Sequence, residues 1–407
     1  MSLRIYLVSA ALLAWGAASA HAVSFSGNAT TSLLMTDRPT TTEQAVSHMP
    51  LYQNLTFTLG SMANNRLSFE GSLRGWRDLK DNATDQSDVR LFRAVARWKD
   101  PASGIEVGAG RQFVSEGVGR TYLDGLLVKH RQRGGVALSA FFGQPLRHDL
   151  DTWERWEKTA LQWGAQADWR RSAKLRLALS YTEMRYDGDT GLRLVGGNAI
   201  YRYSDEQTFR LRADVDAADP ALDRAVICWT KQPDRNTYYS LEAYYRQARL
   251  WAFSRLKDIS GGHLLRVTAS MVRPIKDEFR LSTALSGLNA GARAGGTADL
   301  GIWWRTLRVG YLFSTTGAVL GNGAYVQGSY RVNSVLLLGG RTNWSRYELD
   351  ESDAASQTIG SAAFVTLTPV RGLDITCELH QITDDHYKYQ FEGLFSLCYR
   401  FERVTGR

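Results

Sequence analysis

The stretch TFRLRADVDA, residues 208–217, alternates apolar and polar side chains with a period of two. Its apolar side comprises Phe209, Leu211, Ala213 and Val215, and its polar side comprises Arg210, Arg212, Asp214 and Asp216. Successive side chains of a β-strand point to opposite faces of the sheet, so this alternation predicts a strand with one apolar and one polar face. A helix would instead repeat its apolar residues every three or four positions.

The same alternation recurs from residue 23 to residue 401, in segments of roughly nine to thirteen residues. Clear examples are residues 160–169, 174–186 and 388–401. Together the segments predict about 22 strands, within a range of about 20 to 24. Short connections such as Asn333-Ser334 alternate with longer ones such as residues 145–158. No linker interrupts the pattern, which favours an all-β fold: a single antiparallel up-and-down barrel with short periplasmic turns and longer extracellular loops.

Composition excludes several other classes of protein. The chain has 407 residues, of which 44% are hydrophobic and 22% are charged, and this is too apolar for a disordered protein. The formal net charge of +8 is spread along the sequence, so no nucleic-acid-binding arm is indicated. Beyond the first residues, no stretch approaches the length of apolar sequence that a membrane-spanning helix needs. Three cysteines cannot make a disulfide framework.

The first residues have the features of an export signal. Arg4 provides a positive start, residues 5–15 form a short apolar run, and Ala20-His21-Ala22 fits the small-x-small cleavage pattern. We therefore predict a signal peptide at residues 1–22, a transmembrane barrel at residues 23–401 and a short carboxy-terminal tail at residues 402–407.

With these features, the chain resembles Gram-negative outer-membrane β-barrels of the porin-like kind. Its last predicted strand is similar to the carboxy-terminal assembly signal of that class, with alternating aromatic residues that end in Tyr399-x-Phe401. The resemblance implies a location in the cell outer membrane. It also implies contacts with membrane lipid and lipopolysaccharide, and recognition of Tyr399 and Phe401 by the barrel-assembly machinery.

The polar side of the strands is the side that we expect to face the lumen, because charge on the lipid side would be costly. The predicted pore-lining residues are Arg93, Arg97, Arg176, Arg202, Arg210, Arg212, Asp214, Glu242, Arg246, Arg266, Arg280 and Arg331. A hydrated lumen with an excess of arginine favours anions. The sequence therefore predicts a channel for passive diffusion of small, preferentially anionic solutes.

The width of such a barrel leaves an alternative open. A barrel of about 22 strands is wide enough to need filling, yet no amino-terminal plug is expected and no loop is long enough to indicate an inward fold. Three alternatives are open: the barrel has fewer strands, several loops fold in together, or a second protein fills the lumen. The chain is similar to the barrel sheaths of porin–cytochrome complexes in lacking a plug and a C-x-x-C-H motif, which implies a multihaem c-type cytochrome as partner. We predict no cofactor in the chain itself.

A barrel enzyme is the third interpretation. His380 lies two residues from Glu378 on the same predicted face, and His386 follows Asp384-Asp385. These sets are most often wall hydrogen bonds or solvated loop residues. No G-x-S-x-G or H-E-x-x-H motif accompanies them. We therefore expect no catalytic residues, no metal ligands and no enzymatic activity.

Overall fold

The computed structural model describes residues 23–39, 45–80, 87–118, 121–132, 134–146, 160–186, 189–218, 220–247, 262–290, 293–316, 319–348, 355–384 and 390–405. The predicted signal peptide at residues 1–22 and His386 lie outside the described residues. The secondary structure of the described residues is β-strand joined by turns, with no helix. No helix with the length and apolarity that crossing a membrane requires occurs among them.

The strands follow one another along the chain and are numbered in that order. They are β1 (Val23–Pro39), β2 (Ala45–His48), β3 (Pro50–Met62), β4 (Leu67–Asp78), β5 (Ser87–Asp100), β6 (Ile105–Val114), β7 (Thr121–Arg131), β8 (Val136–Pro145), β9 (Ala160–Arg170), β10 (Leu175–Tyr186), β11 (Asp189–Arg202), β12 (Gln207–Asp216), β13 (Ala221–Lys231), β14 (Tyr238–Gln247), β15 (His263–Lys276), β16 (Phe279–Ala290), β17 (Arg293–Trp304), β18 (Leu307–Thr316), β19 (Val319–Arg331), β20 (Leu336–Glu348), β21 (Ala355–Val370), β22 (Leu373–Asp384) and β23 (Gln390–Thr405).

Each strand pairs antiparallel with its neighbour in the sequence, and the last strand pairs with the first. Strand β1 runs beside β23 from Val23 opposite Thr405 to Thr36 opposite Glu392. Its other edge is covered by β3 and, beyond Met49, by β2, so β2 and β3 count as one strand of the wall. The fold is therefore a closed antiparallel barrel of 22 strands, as predicted. Closure leaves no unpaired sheet edge, which is the condition for a β-structure to sit in hydrocarbon.

Two predicted boundaries differ from the structure. The last strand continues past residue 401 to Thr405, because residues 402–405 find partners on β1 between Val23 and Ser26. The residues that we predicted as a tail therefore lengthen the closing seam. The connection after β1 also differs: the alternation predicts a loop over residues 37–50, whereas β1 extends to Pro39 and β2 begins at Ala45. A strand boundary depends on the length of its partner, which periodicity alone does not reveal.

The barrel has two different ends. At one end, which we call the turn end, the connections are tight and described, such as residues 101–104 and 203–206. At the other end, the loop end, most connections lie wholly or partly outside the described residues. Tight turns at the turn end use left-handed backbone where the chain reverses: Asn64 and Asn65 have φ of 60° and 64°. Asparagine tolerates this region better than most residues, so both positions suit the turn.

Candidate functional site: the polar face and the inward segment

The cross-strand register sorts the side chains of the wall into two faces. One face carries large exposed apolar residues such as Leu179, Val195 and Leu211. The other face carries polar residues in register: Arg176 pairs with Ile200, and Ile200 pairs with Arg210. We call these the apolar face and the polar face. Since pairing preserves the face from strand to strand, the assignment extends around the barrel.

A short segment after β6 shows which face is the interior. The segment Ser115–Val118, here the inward segment, reaches β9 and β10, although β7 and β8 lie between them and β6 in the wall. Gly117 donates its backbone N–H to Oε1 of Gln166, and Thr182 donates its hydroxyl to the carbonyl oxygen of Val118 over 2.6 Å. So short a segment can bridge those strands only across the concave side. Its contacts lie on the polar face, so the polar face is the inner face.

The inward segment is tightly packed against the inner face. Val118 is buried, and Gly196 of β11 leaves room for it, because a Cβ on Gly196 would lie 2.9 Å from the Cβ of Val118. Gly117 has φ of 81°, a left-handed conformation that suits glycine. Glu116 forms an ion pair with Lys129 of β7. The sequence analysis did not single out this segment, because the connection after β6 is too short to indicate an inward fold by its length.

A small apolar cluster lies beneath the inward segment. It consists of Val114, Leu123, Leu127 and Phe141, all buried on the inner face of β6, β7 and β8. Gln112 and Gln162 are also buried on this part of the wall, each with an Oε1 atom that finds no hydrogen-bond partner. Apolar packing of this kind fixes the position of Val114, the residue directly before the inward segment. The inward segment therefore occupies part of the lumen as a firmly held element.

The register places all the predicted pore-lining residues on the polar face. They are Arg93, Arg97, Arg176, Arg202, Arg210, Arg212, Asp214, Glu242, Arg246, Arg266, Arg280 and Arg331. Their charges fall into two groups, arginines in ion pairs and arginines without an acidic partner. The difference decides how much of each charge is available to a solute.

The first group consists of arginines that hold carboxylates on neighbouring strands. The carboxylate of Glu70 forms ion pairs with the guanidinium groups of Arg93 and Arg97, each with a nitrogen–oxygen distance of 2.8 Å. Asp168 accepts two bonds of 2.7 Å from the guanidinium of Arg176. Such forked pairs are well oriented, but each neutralises its own charge. These arginines brace the wall.

Asp214 is the most deeply buried carboxylate of the inner face that the structure describes, with 1% of the residue exposed. It is held by Arg212 on its own strand, with Nε at 3.0 Å, and by Arg224 on β13, with Nε at 2.8 Å. A buried carboxylate without such partners would be very costly. The sequence analysis missed Arg224, because the positions that follow on its face are Val226 and Cys228, so β13 shows no polar alternation there. Arg308 was also missed, although its alternation with Leu307 and Val309 would have revealed it.

The second group consists of inner-face arginines that form no ion pair with any carboxylate whose side chain is described. They include Arg74, Arg202, Arg210, Arg246, Arg280, Arg331 and Arg341. In contrast, seven carboxylates along the same wall are each held by an arginine: Glu70, Glu106, Asp168, Asp214, Glu242, Asp299 and Asp374. Two further inner-face carboxylates have other partners: Glu378 contacts His380, and Glu392 accepts hydrogen bonds from Thr36 and Gln390. Cationic charge therefore exceeds what the acidic residues of the described wall neutralise.

One arginine of the second group belongs to an aromatic stack. The guanidinium of Arg280 lies over the ring of Trp303 at 5.8 Å, and that of Arg308 lies over the same ring at 5.3 Å. Arg308 also contacts the ring of Tyr325 at 4.9 Å, and Tyr325 donates its hydroxyl to Asp299 over 2.6 Å. Cation–π contacts hold the guanidinium groups flat against the wall. The stack lies near the turn end of β16 to β19.

Around the closing seam, the inner face also carries pairs of hydroxyl groups. Ser32 on β1 lies 3.1 Å from Ser396 on β23, and Thr56 on β3 lies 3.2 Å from Ser72 on β4, measured between hydroxyl oxygens. The inner wall around the closing seam therefore combines hydroxyl pairs with charged groups such as the Arg400–Asp374 ion pair and Glu392.

The residues that suggested an enzyme are part of the wall. His380 lies 2.7 Å from Glu378 on the inner face, measured from Nε2 to Oε1, and the register places it opposite Glu392. Of the histidine, cysteine and acidic residues that the structure describes, no three come together as a metal site. Cys377 and Cys398 lie on opposite faces, since Cys377 pairs with the outward Phe395 and Cys398 with the inward Asp374. They are free thiols.

The sequence matches no protein-family model and no curated protein. Similar folds occur among crystal structures of Pseudomonas aeruginosa proteins. OpdL has a TM-score of 0.46 at 12% identity, with 93% of this chain and 99% of OpdL covered. OpdQ has a TM-score of 0.45 at 9% identity, covering 93% of this chain and 98% of OpdQ. OccK2 has a TM-score of 0.45 at 10% identity, with coverages of 94% and 97%. At these scores the similarity carries no functional argument, and the closed barrel follows from the strand pairing alone.

Proposed function

We propose that the chain is an outer-membrane channel through which small, preferentially anionic solutes diffuse passively. The single observation that carries this proposal is the imbalance of charge on the inner face. Arginines such as Arg210 and Arg246 have no described acidic partner, whereas most of the carboxylates described on the wall are neutralised by ion pairs with arginines. A hydrated path lined by uncompensated guanidinium groups lowers the energy of an anion and raises that of a cation.

The outer surface supports the membrane location within this proposal. Exposed leucine, valine and isoleucine side chains cover the middle of the apolar face, for example Leu179, Ile227 and Leu285. Aromatic residues lie nearer the strand ends, with Trp98 and Trp304 at the turn end and Trp163 at the loop end. An apolar band between two aromatic rows is the surface that a bilayer favours for a barrel.

The inward segment favours a channel over a sheath around a cytochrome. Ser115–Val118 occupies interior volume and is held there by Gln166 and Thr182. A lumen-filling protein would need that volume. A narrowed lumen in contrast suits a channel, because it brings the solute close to the wall that selects it.

Single-channel recording tests this proposal. The purified chain in a planar bilayer should give discrete conductance steps, and a salt gradient should give a reversal potential that reports anion preference. Arg210→Glu should lower the anion-to-cation permeability ratio by roughly two-fold or more, because it exchanges an uncompensated cation for an anion. Arg235→Glu is the matched control, since it makes the same change at an exposed turn.

Two results would contradict the proposal. Equal reversal potentials for Arg210→Glu and Arg235→Glu would show that Arg210 does not act on the permeant ions. Absence of conductance, together with a haem protein that co-purifies at a fixed ratio, would replace the channel with the sheath.

A further inference from the structure

A cluster of charged residues lies on the outer surface of the barrel, near the loop end of β10 and β11. It consists of Tyr181, Glu183, Arg185 and Arg193, which we call the rim cluster. Glu183 pairs with Arg193 across the two strands and with Trp163 on the other side. These residues alternate with Thr182 and Leu194, which point inward, so the rim cluster shares the face of Leu179 and Val195.

The single carboxylate of the rim cluster is fully engaged. Glu183 is 3% exposed, and it accepts hydrogen bonds from Nε of Arg185 at 2.7 Å and from the hydroxyl of Tyr181 at 2.5 Å. Nε of Arg193 lies farther away, at 3.6 Å, and has no hydrogen-bond partner. Two guanidinium groups therefore face one carboxylate, which leaves the rim cluster with one positive charge in excess.

Among the side chains that the structure describes, the neighbouring strands supply no second anion on this face. The positions beside the rim cluster are Leu161 and Trp163 on β9 and Val215 and Ala217 near the end of β12. The side chains of Arg185 and Arg193 remain 52% and 37% exposed. Both can still donate hydrogen bonds to a group that approaches from the surroundings, because a guanidinium has five N–H donors.

The surface beside the rim cluster is apolar and aromatic. Leu179 and Val195 follow in the direction of the turn end and are exposed, and Trp163 packs on Tyr181 with 5.0 Å between ring centroids. A tryptophan–tyrosine pair is typical of the boundary between hydrocarbon and headgroups. The charged side chains lie on the loop-end side of this boundary and the alkyl side chains on the turn-end side. This order matches the charged headgroup and the acyl chains of a lipid molecule.

We propose that Arg185 and Arg193 bind the phosphate of an anionic, phosphorylated lipid headgroup in the surrounding membrane, while its acyl chains lie on Leu179 and Val195. The guanidinium fork donates two parallel hydrogen bonds to phosphate oxygens, which a point charge would not do. The adjoining apolar surface favours a membrane lipid over a free anion. This site rests on the membrane location of the proposed function, but not on conduction.

Lipid retention measured by native mass spectrometry tests the site. The full chain in detergent is mixed with diphosphorylated lipid A and, separately, with zwitterionic phosphatidylcholine. Wild-type protein should retain the phosphorylated lipid. Arg185→Gln with Arg193→Gln should reduce this retention by about ten-fold, because both phosphate donors are lost. The matched control is Arg171→Gln with Arg235→Gln, which removes the same charge at exposed residues of the turn end.

Glu183 provides variants that separate binding from folding. Removal of both arginines leaves the Glu183 carboxylate uncompensated and can disturb the strand pair. The triple variant that adds Glu183→Gln has no charge in the rim cluster, so it should fold and still fail to retain the lipid. Glu183→Gln alone should retain the phosphorylated lipid more strongly than wild type, because it releases the guanidinium of Arg185 and removes a competing anion.

The outcomes are distinct from those of the conductance experiment. Equal retention by the wild type and the folded triple variant would overturn the site. Inorganic phosphate is added as a competitor. If it abolished lipid retention at a concentration equal to that of the lipid, the ligand would be a free anion. A protein that retains the lipid through Arg185 and Arg193 but gives no conductance steps would keep this site and reject the channel.

Discussion

The hydroxyl of Thr182 donates a 2.6 Å hydrogen bond to the carbonyl oxygen of Val118, and both residues are buried inside the barrel. Thr182 belongs to β10, whereas Val118 belongs to the inward segment that follows β6. A wall residue thus holds a connection across the lumen. A buried carbonyl that loses its donor costs roughly 1–3 kcal/mol, so this bond has a large share in keeping the segment inward.

Thr182→Val removes that donor while it keeps the side-chain volume. We expect the inward segment to leave its position part of the time, so the mean single-channel conductance should rise and transitions between conductance levels should become frequent. Recording in planar bilayers measures both quantities. Thr230→Val is the matched control, because Thr230 also donates from an inner-face strand to a backbone carbonyl, that of Thr208, but far from the segment. Identical current traces for the two variants would show that Thr182 does not restrain a constriction.

How far the fold could be predicted is clear from β12. Alternation predicted a strand at residues 208–216 with Phe209 and Leu211 on the apolar side, and the structure has a strand at Gln207–Asp216 with both residues exposed on the apolar face. Period-two alternation is a local property, so one strand is enough to reveal it. The bulge beside Asp214 depends on how β13 meets β12, and no local pattern encodes it.

The candidate site was predictable to a lesser degree for the same reason. The face of each arginine follows from alternation, and the register agrees for Arg176 and Arg210. Which arginine keeps a free charge depends on carboxylates from other strands: Arg176 meets Asp168, and Arg210 meets no described acid. The inward segment could not be predicted from the sequence, because the residue that holds Val118 by a hydrogen bond, Thr182, is 64 positions away.

Gly310 offers a test of packing on the inner face. A Cβ at this position would lie 2.3 Å from the ring of Tyr325, which itself is held by Asp299 and Arg308. Gly310→Ala should therefore force the ring out of the aromatic stack and lower the free energy of unfolding by about 1–3 kcal/mol. Gly287→Ala is the control, because a Cβ there would meet nothing within 4 Å. Urea unfolding in lipid vesicles, followed by tryptophan fluorescence, compares the two. Equal urea midpoints for the two variants would mean that the aromatic stack rearranges around the added methyl group with no loss of unfolding free energy.

The cysteines report which face meets water. Cys398 lies on the inner face and Cys377 on the apolar face. Two variants that each keep one of these thiols, with the other cysteines changed to serine, should differ in vesicles. A charged, membrane-impermeant thiol reagent should modify Cys398 and leave Cys377 unmodified, whereas a lipophilic maleimide should modify Cys377. Mass spectrometry measures the added label. Modification of Cys377 by the charged reagent at the rate of Cys398 would contradict the assignment of the faces.

The same assignment predicts no disulfide between Cys377 and Cys398. Wild-type protein should therefore migrate identically on a gel with and without reductant, since the two thiols lie on opposite faces and cannot meet.

Glu278 makes one turn sensitive to pH. Hydrogen bonds from Arg305 and then Trp304 hold the pKa of the Glu278 carboxyl below its usual value. A carboxyl with a lowered pKa stabilises the folded state above the pKa of the unfolded chain, and this contribution is lost as the pH falls through the folded-state pKa. Glu278→Gln should therefore lower the midpoint of thermal unfolding at pH 7, and the difference from wild type should shrink as the pH falls below the usual glutamate pKa and through the lowered pKa of the folded chain. A difference that persists unchanged at low pH would show that the charge of Glu278 is irrelevant.

Phe401 closes the barrel at the turn end. Its ring packs over Gly27 of β1 and stacks on Phe25 with 4.8 Å between ring centroids, so the two edges of the wall meet through aromatic contact as well as backbone pairing. Phe401→Ala should cost about 1 kcal/mol at this seam, because cross-strand aromatic pairs contribute on that order. The temperature at which the folded barrel unfolds in detergent, read from its shifted gel migration, should fall accordingly.

Phe391→Ala is the matched control for the seam. Phe391 lies on the same strand and the same face, is exposed, and makes no ring contact with another described aromatic residue. Its loss removes a similar lipid-facing area without touching β1. If the two variants unfolded at the same temperature, the ring of Phe401 would act only through exposed apolar area. A lower value for Phe401→Ala alone would show that the residue of the predicted assembly signal also stabilises the finished barrel.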